Sequence, residues 1–175
     1  KFRHQKINFS EIPDFLKNSI IKIEDKNFYS NNWIDFLALL RAIKNNILEW
    51  KIIEWWSTIS SQVIRNYFWL NKKRWFWKKF KEFFYAISLN QNYSKEEILE
   101  FYLNWIYFWF LNYWIENASE FYFWKELKNL TKAEQIALLV IPKNANKYNP
   151  IKNPEKFKER YEKILNFLNE KKTFN

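Results

Sequence analysis

No glycine occurs anywhere in the 175 residues, and neither does cysteine or methionine; histidine appears once, as His4. Average usage of about 7% would supply roughly a dozen glycines to a chain of this length. Without them, every left-handed backbone position must be filled by a residue with a Cβ, at a cost of about 1–2 kcal/mol each. The lack of cysteine excludes disulfides and thiolate metal sites and leaves the compartment open. A single histidine near the N-terminus argues against histidine-based triads and zinc sites. No run of about 18 apolar residues occurs, so nothing in the sequence spans a bilayer; the most apolar stretch, residues 106–111, is interrupted by Asn112. Methionine is missing even at position 1. The chain therefore reads as an excised fragment, in which upstream signals or anchors would be invisible.

What is present is as uneven. Lys plus Arg number 29 against 19 Asp plus Glu, a net charge of +10, which favours an anionic partner: nucleic acid, a phosphorylated substrate or an acidic membrane surface. Tryptophan occurs 11 times. The abundance of Lys, Asn, Ile, Phe and Tyr suits an AT-rich genome. The length fits one domain with a real core and is too short for two comfortable ones.

The apolar pattern is helical nearly throughout. Ser94-Lys95-Glu96-Glu97 is a capping box with Tyr93 and Ile98 placed as a hydrophobic staple, which predicts a helix starting at Lys95. Thr131-Lys132-Ala133-Glu134 is a second box, whose helix should run to about Val140 and stop before Pro142. Asn153-Pro154 reads as N-cap and first helical residue, with Phe157, Tyr161, Ile164, Leu165 and Leu168 on one face. Residues 33–48 predict a largely buried helix, and residues 141–152 an irregular segment. Strand signals are weak, and no linker divides the chain. These signs describe one mainly α domain.

Three stretches could carry chemistry. Glu24-Asp25 follows an apolar run, and a carboxylate at such a rim can have a raised pKa and serve as general acid or base; taken alone, the pair fits a solvated helix end better. "EWWSTISSQVIRN" (54–66) sets small hydroxyl residues beside Arg65, as an anion site would, but with two tryptophans where glycines would let the backbone close in. "NKKRWFWKKFKE" (71–82) interleaves cations with rings before Glu82. That block suits a membrane interface, a single-stranded nucleic acid, or a plain basic helix face over an aromatic core.

Taken in order, "IEDKNFYSNNWID" (23–35), "WWSTISSQVIRN" (55–66), "KKFKE" (78–82), "YSKEEILEFYLNWIYFW" (93–109), the segment 113–150 and "RYEKIL" (160–165) resemble the peptidoglycan glycosyltransferases, glycosyltransferase family 51. This is the transglycosylase domain of class A penicillin-binding proteins and of monofunctional glycosyltransferases. The resemblance covers almost the whole chain. It implies a single lysozyme-like, mainly α domain over residues 1–175, belonging to a longer protein, with a membrane-facing basic-aromatic segment. It implies a location on the outer face of the bacterial cytoplasmic membrane. The substrates would be lipid II and the growing lipid-linked glycan, with no nucleic-acid partner, a C-terminal transpeptidase domain in the full-length protein as one arrangement, and no required cofactor, a divalent cation such as Mg2+ near Glu82 being left open. Glu24 resembles the general base, and Glu82 the family's second carboxylate. Lys78, Lys79 and Arg65 fall where the family faces the donor diphosphate, although it usually has lysine at the position of Arg65. Asp25, Ser57, Thr58, Gln62, Asn66 and Asn104 match its substrate-contacting motifs. Asn31 stands where the family usually has histidine, Ser61 where it usually has the first of two glutamines, and Tyr161 in place of an arginine.

The same comparison explains the tryptophans. At Trp33, Trp50, Trp55, Trp56, Trp109, Trp114 and Trp124 the family characteristically or commonly has glycine. Seven such replacements in a chain with no glycine left predict UGA codons that the source bacterium reads as glycine and that are rendered here as tryptophan. As printed, Trp55 and Trp56 would crowd the diphosphate site. Sequencing the gene should find UGA at these seven codons; UGG there would mean that the tryptophans are genuine.

Overall fold

The computed structural model describes residues 6–30, 58–67, 75–106, 108 and 114–170, with residues 75–80 described by their backbone alone. The helix predicted over 33–48, the residue Ser57 and the side chains of residues 71–80 of the basic-aromatic block lie outside the described residues. Among the described residues the structure is helical, with no strands: α1 (Asp14–Glu24), α2 (Ile59–Tyr67), α3 (Trp75–Asn92), α4 (Lys95–Trp105), α5 (Ile115–Phe123), α6 (Lys132–Val140) and α7 (Pro154–Glu170), with single 3-10 turns at Phe9–Glu11 and Leu127–Asn129. The mainly α expectation holds.

Local chemistry sets the helix ends. The Ser94 hydroxyl accepts from the Glu97 N–H while the Glu97 carboxylate accepts from the Ser94 N–H, so α4 starts at Lys95 as the spacing predicts. Thr131 and Glu134 do the same for α6, which ends at Val140 ahead of Pro142. At the predicted staple positions, Tyr93 is half exposed and sets its ring edge-on against Phe101, and Ile98 is buried in the core. The segment after α6 is a series of turns up to the start of α7 at Pro154.

Two apolar clusters hold the helices together. The larger joins α1, α2, α4 and α5 through residues such as Leu16, Ile20, Ile59, Leu99, Leu103 and Ile115. The smaller packs α6 on α7 through Ile136, Val140, Ile164 and Leu168, with Phe157, Tyr161 and Leu165 alongside, the face predicted for α7. Arg160, the first residue of the last motif, donates from Nε to the Val140 carbonyl at 3.2 Å and lies over the Tyr148 ring. Its guanidinium thus satisfies a carbonyl at the C-terminus of α6, where a cation also meets the negative end of the helix dipole.

One carboxylate away from the proposed chemistry is strained electrostatically. Glu116 is buried in a cavity of about 110 Å³ that Glu11, Glu120 and Glu126 also line. Burial pushes its carboxyl up from the usual range, the Leu127 N–H holds it down, and the neighbouring carboxylates push it up again. With the folded-state value above the unfolded one, the native state binds more protons in that window, and this group's contribution to stability falls as pH rises through it. Glu116→Gln keeps an acceptor for Leu127 and removes the charge. It should raise stability near neutral pH and flatten the pH dependence of denaturant unfolding above the ordinary carboxylate range.

Candidate active site

Glu24 is the last residue of α1 and Asp25 its cap, so the acidic pair stands where the helix stops and a turn begins. The two carboxylates diverge. The Asp25 Oδ2 accepts the Ile59 N–H at 3.2 Å, holding the first turn of α2. The Glu24 Oε2 accepts from the Gln62 side-chain amide at 2.9 Å, one turn further along α2. Thr58 opens α2: its Oγ1 accepts from the Ser61 N–H and its carbonyl from the Ser61 hydroxyl, so the small hydroxyl residues of this motif cap and bury a helix start.

Burial pushes the Asp25 carboxyl up from its ordinary value, opposed first by the Ile59 N–H and then by the Lys95 ammonium. Burial lowers Lys95 in turn, and Asp25 partly restores it. The Lys95 Nζ donates to Asn90 Oδ1 at 2.6 Å and lies 5.0 Å from the centre of the buried Phe28 ring. Asn90 donates to the Ser60 hydroxyl and the Ala86 carbonyl. One half-buried cation therefore ties the C-terminal end of α3, the start of α2 and the turn after Glu24 into a single unit. Lys95 was expected only as a first helical residue, and its role depends on partners that sequence spacing does not bring together.

One turn further along α2, Arg65 meets Glu82 of α3, with Nε 3.5 Å from Oε1; the Glu82 side chain is 2% exposed and that of Arg65 36%. A buried carboxylate thus lies in ion-pair range of a partly exposed guanidinium, with no hydrogen bond between Nε and Oε1, an arrangement that presents a cation to an anionic ligand. Helical spacing puts positions 78 and 79 one turn before Glu82 on α3; the side chains of Lys78 and Lys79 lie outside the described residues. Asn66 is exposed, next to Arg65. Among the described residues no three acidic or imidazole groups could hold a metal ion, and Glu82 faces a guanidinium.

Tyr102 joins the two halves. It is fully buried on α4, and its hydroxyl donates to the Gln62 Oε1 at 3.3 Å. Burial pushes the hydroxyl well above its ordinary value, Glu24 pushes it further, and Arg65 draws it back; both groups are therefore within its electrostatic reach. In the sequence Tyr102 falls inside the motif of residues 93–109 without a role of its own.

Asn104, the last residue of its motif, lies near the end of α4. It is 2% exposed. Its Oδ1 accepts the Ile7 N–H at 3.0 Å, and its Nδ2 donates to the carbonyls of Ile7 at 2.8 Å and Glu100 at 3.0 Å. The side chain fastens the N-terminal segment to α4. Asn104→Ala should lower unfolding free energy by about 2–3 kcal/mol, since two buried backbone groups lose their partner. A denaturant titration measures the loss. Once the folded fraction is corrected for, the KM of the seven-glycine form (glycine at the seven tryptophan positions named above) should stay within about twofold.

A model of the transglycosylase family matches residues 1–169. The chain is 41% identical over 164 residues to penicillin-binding protein 1F of Bacillus subtilis, covering 94% of this chain and 23% of that one. It is 38% identical over 174 residues to penicillin-binding protein 1A of Neisseria lactamica, covering 98% and 22%. Penicillin-binding protein 4 of B. subtilis is 38% identical over 162 residues, covering 93% and 26%. The chain thus spans about a quarter of the length of these relatives.

Proposed function

Because the chain belongs to the transglycosylase family, the peptidoglycan glycosyltransferases that its motifs resemble, we propose that it polymerises lipid II into glycan strands at the outer face of the cytoplasmic membrane. The acceptor sugar hydroxyl loses its proton to Glu24 and attacks the anomeric carbon of the lipid-linked donor. The bond from that carbon to the pyrophosphate oxygen breaks, with inversion, and the charge that develops on the leaving group meets Arg65, Lys78 and Lys79. Fixed cations aimed at developing charge are often the largest catalytic contribution. Glu82 keeps Arg65 in place for that task.

The observation that carries this reading is the grouping along α2: a carboxylate accepting from Gln62, and one turn on a cation paired with a buried carboxylate, both within reach of Tyr102. A glycoside hydrolase would have little use for a cation on the leaving group, whereas a pyrophosphate leaving group requires one. Among the described residues no helix is long and apolar enough to cross a membrane. Contact with the lipid-linked substrates then falls to the basic-aromatic block preceding Glu82, or to parts of the protein beyond this chain, where a transpeptidase domain is also proposed.

The test uses the seven-glycine form. Incubation with lipid II should yield polymerised glycan. Soluble fragments released from finished cell wall in place of polymer would instead identify a hydrolase. Salt-sensitive binding to anionic vesicles or nucleic acid without turnover, unchanged by Glu24→Gln combined with Glu82→Gln, would identify a binding module.

A further inference from the structure

An amide side chain that touches a catalytic carboxylate has two orientations, and only one of them is useful. With the NH2 group toward Glu24, Gln62 donates to the ionised carboxylate; with the oxygen toward it, two acceptors repel. Gln62 sits with Nε2 2.9 Å from Glu24 Oε2, which leaves Oε1 pointing along α2 toward α4. There the Tyr102 hydroxyl donates to it at 3.3 Å. We infer that Tyr102 is a positioning residue for glycosyl transfer, one that acts by fixing the orientation of the Gln62 amide and hence the donor that aligns the Glu24 carboxylate.

Three observations support the assignment. Tyr102 is 1% exposed and packed in the main core, so its ring cannot swing to a solvent partner and the hydroxyl has a fixed direction. The hydroxyl keeps its proton throughout the working pH range because burial and Glu24 both oppose its ionisation, so it is always available to donate. Finally, the three groups lie on three different helices: Glu24 at the end of α1, Gln62 on α2, Tyr102 on α4. A purely local role in α4 packing would need the ring and not the hydroxyl. The chain Tyr102 to Gln62 to Glu24 gives a buried hydroxyl a direct geometric consequence at the carboxylate, and charge-assisted bonds of this kind exceed neutral ones in strength.

The inference rests on the proposed role of Glu24, and its test separates the two. The Gln62 side-chain amide protons, assigned in this chain by their disappearance in Gln62→Met, should be shifted downfield by the carboxylate. They should move upfield and broaden in Tyr102→Phe, a change that preserves the ring and the fold. In the seven-glycine form, Tyr102→Phe should lower kcat about tenfold with KM within twofold, the worth of one aligned hydrogen bond. In the Gln62→Met background the same change should alter kcat by less than twofold. Gln62 resonances unmoved by Tyr102→Phe, or an equal loss of kcat with and without Gln62, would overturn the inference. Retained turnover in Glu24→Gln would overturn the base assignment alone, since the Gln62 resonances report the amide orientation independently of turnover.

Discussion

Replacing Glu24 by glutamine should reduce lipid II polymerisation by the seven-glycine form about 10²- to 10⁴-fold, the usual contribution of a positioned general base. The substitution is nearly isosteric, and Glu24 is half-buried at the end of α1, outside both apolar clusters. The fold therefore has little reason to respond, and lipid II binding should stay within about threefold. What disappears is the capacity to accept a proton from the acceptor hydroxyl as it attacks. Asp25→Asn is the matched comparison. Asparagine keeps an oxygen for the Ile59 N–H and removes a charge that burial disfavours, so it should cost activity far less. If the two variants lose activity equally, the pair is scaffolding for the start of α2 and the base lies elsewhere. If Glu24→Gln retains more than about a tenth of the rate, Glu24 is excluded as the proton acceptor.

The contrast between these neighbours marks how far the sequence could be read. The capping boxes at Ser94 and Thr131 were legible because their physics is local: a side chain three residues away closes on a backbone N–H, and spacing alone specifies it. The α7 face was legible for the same reason, since periodicity places Phe157, Tyr161, Ile164 and Leu168 together. The site was legible only in part. Motif order singled out Glu24, Gln62, Arg65 and Glu82, and the fold brings them around one helix. Motif order could not say which member touches which, because Gln62 lies 38 residues from Glu24 and 40 from Tyr102. For that reason the bond of the Asn104 amide to the backbone 97 residues earlier was not legible, nor were the contacts of Tyr102 and Lys95. A motif residue's importance shows in its sequence; its role depends on contacts that only the tertiary fold creates.

The tryptophans yield the other large effect, and here the backbone speaks independently of any family pattern. Trp124 caps the C-terminus of α5 at φ 57° and ψ 33°, in the left-handed region, and is the one non-glycine residue with positive φ among those described. Its N–H donates to the Glu120 carbonyl, the bonding that a glycine provides when it ends a helix. A side chain with a Cβ costs about 1–2 kcal/mol there, and this one is 91% exposed, so burial offsets little of that cost. Trp114 differs: at φ −120° and ψ 136° it has extended backbone open to any residue. Trp33, Trp50, Trp55, Trp56 and Trp109 lie outside the described residues. Trp124→Gly should therefore stabilise the chain by about 1 kcal/mol and raise the unfolding midpoint by roughly 2–4 °C, with Trp124→Asn intermediate and Trp124→Ala gaining little. That order separates relief of backbone strain from mere removal of an exposed ring, which alanine would achieve as well as glycine. Glycine at all seven positions should go further and turn a chain without measurable glycosyl transfer into an active polymerase, because Trp55 and Trp56 immediately precede the helix that carries Gln62 and Arg65. If the printed chain polymerises lipid II as fast as the seven-glycine form, the tryptophans are native to the site and the reading of the codons fails.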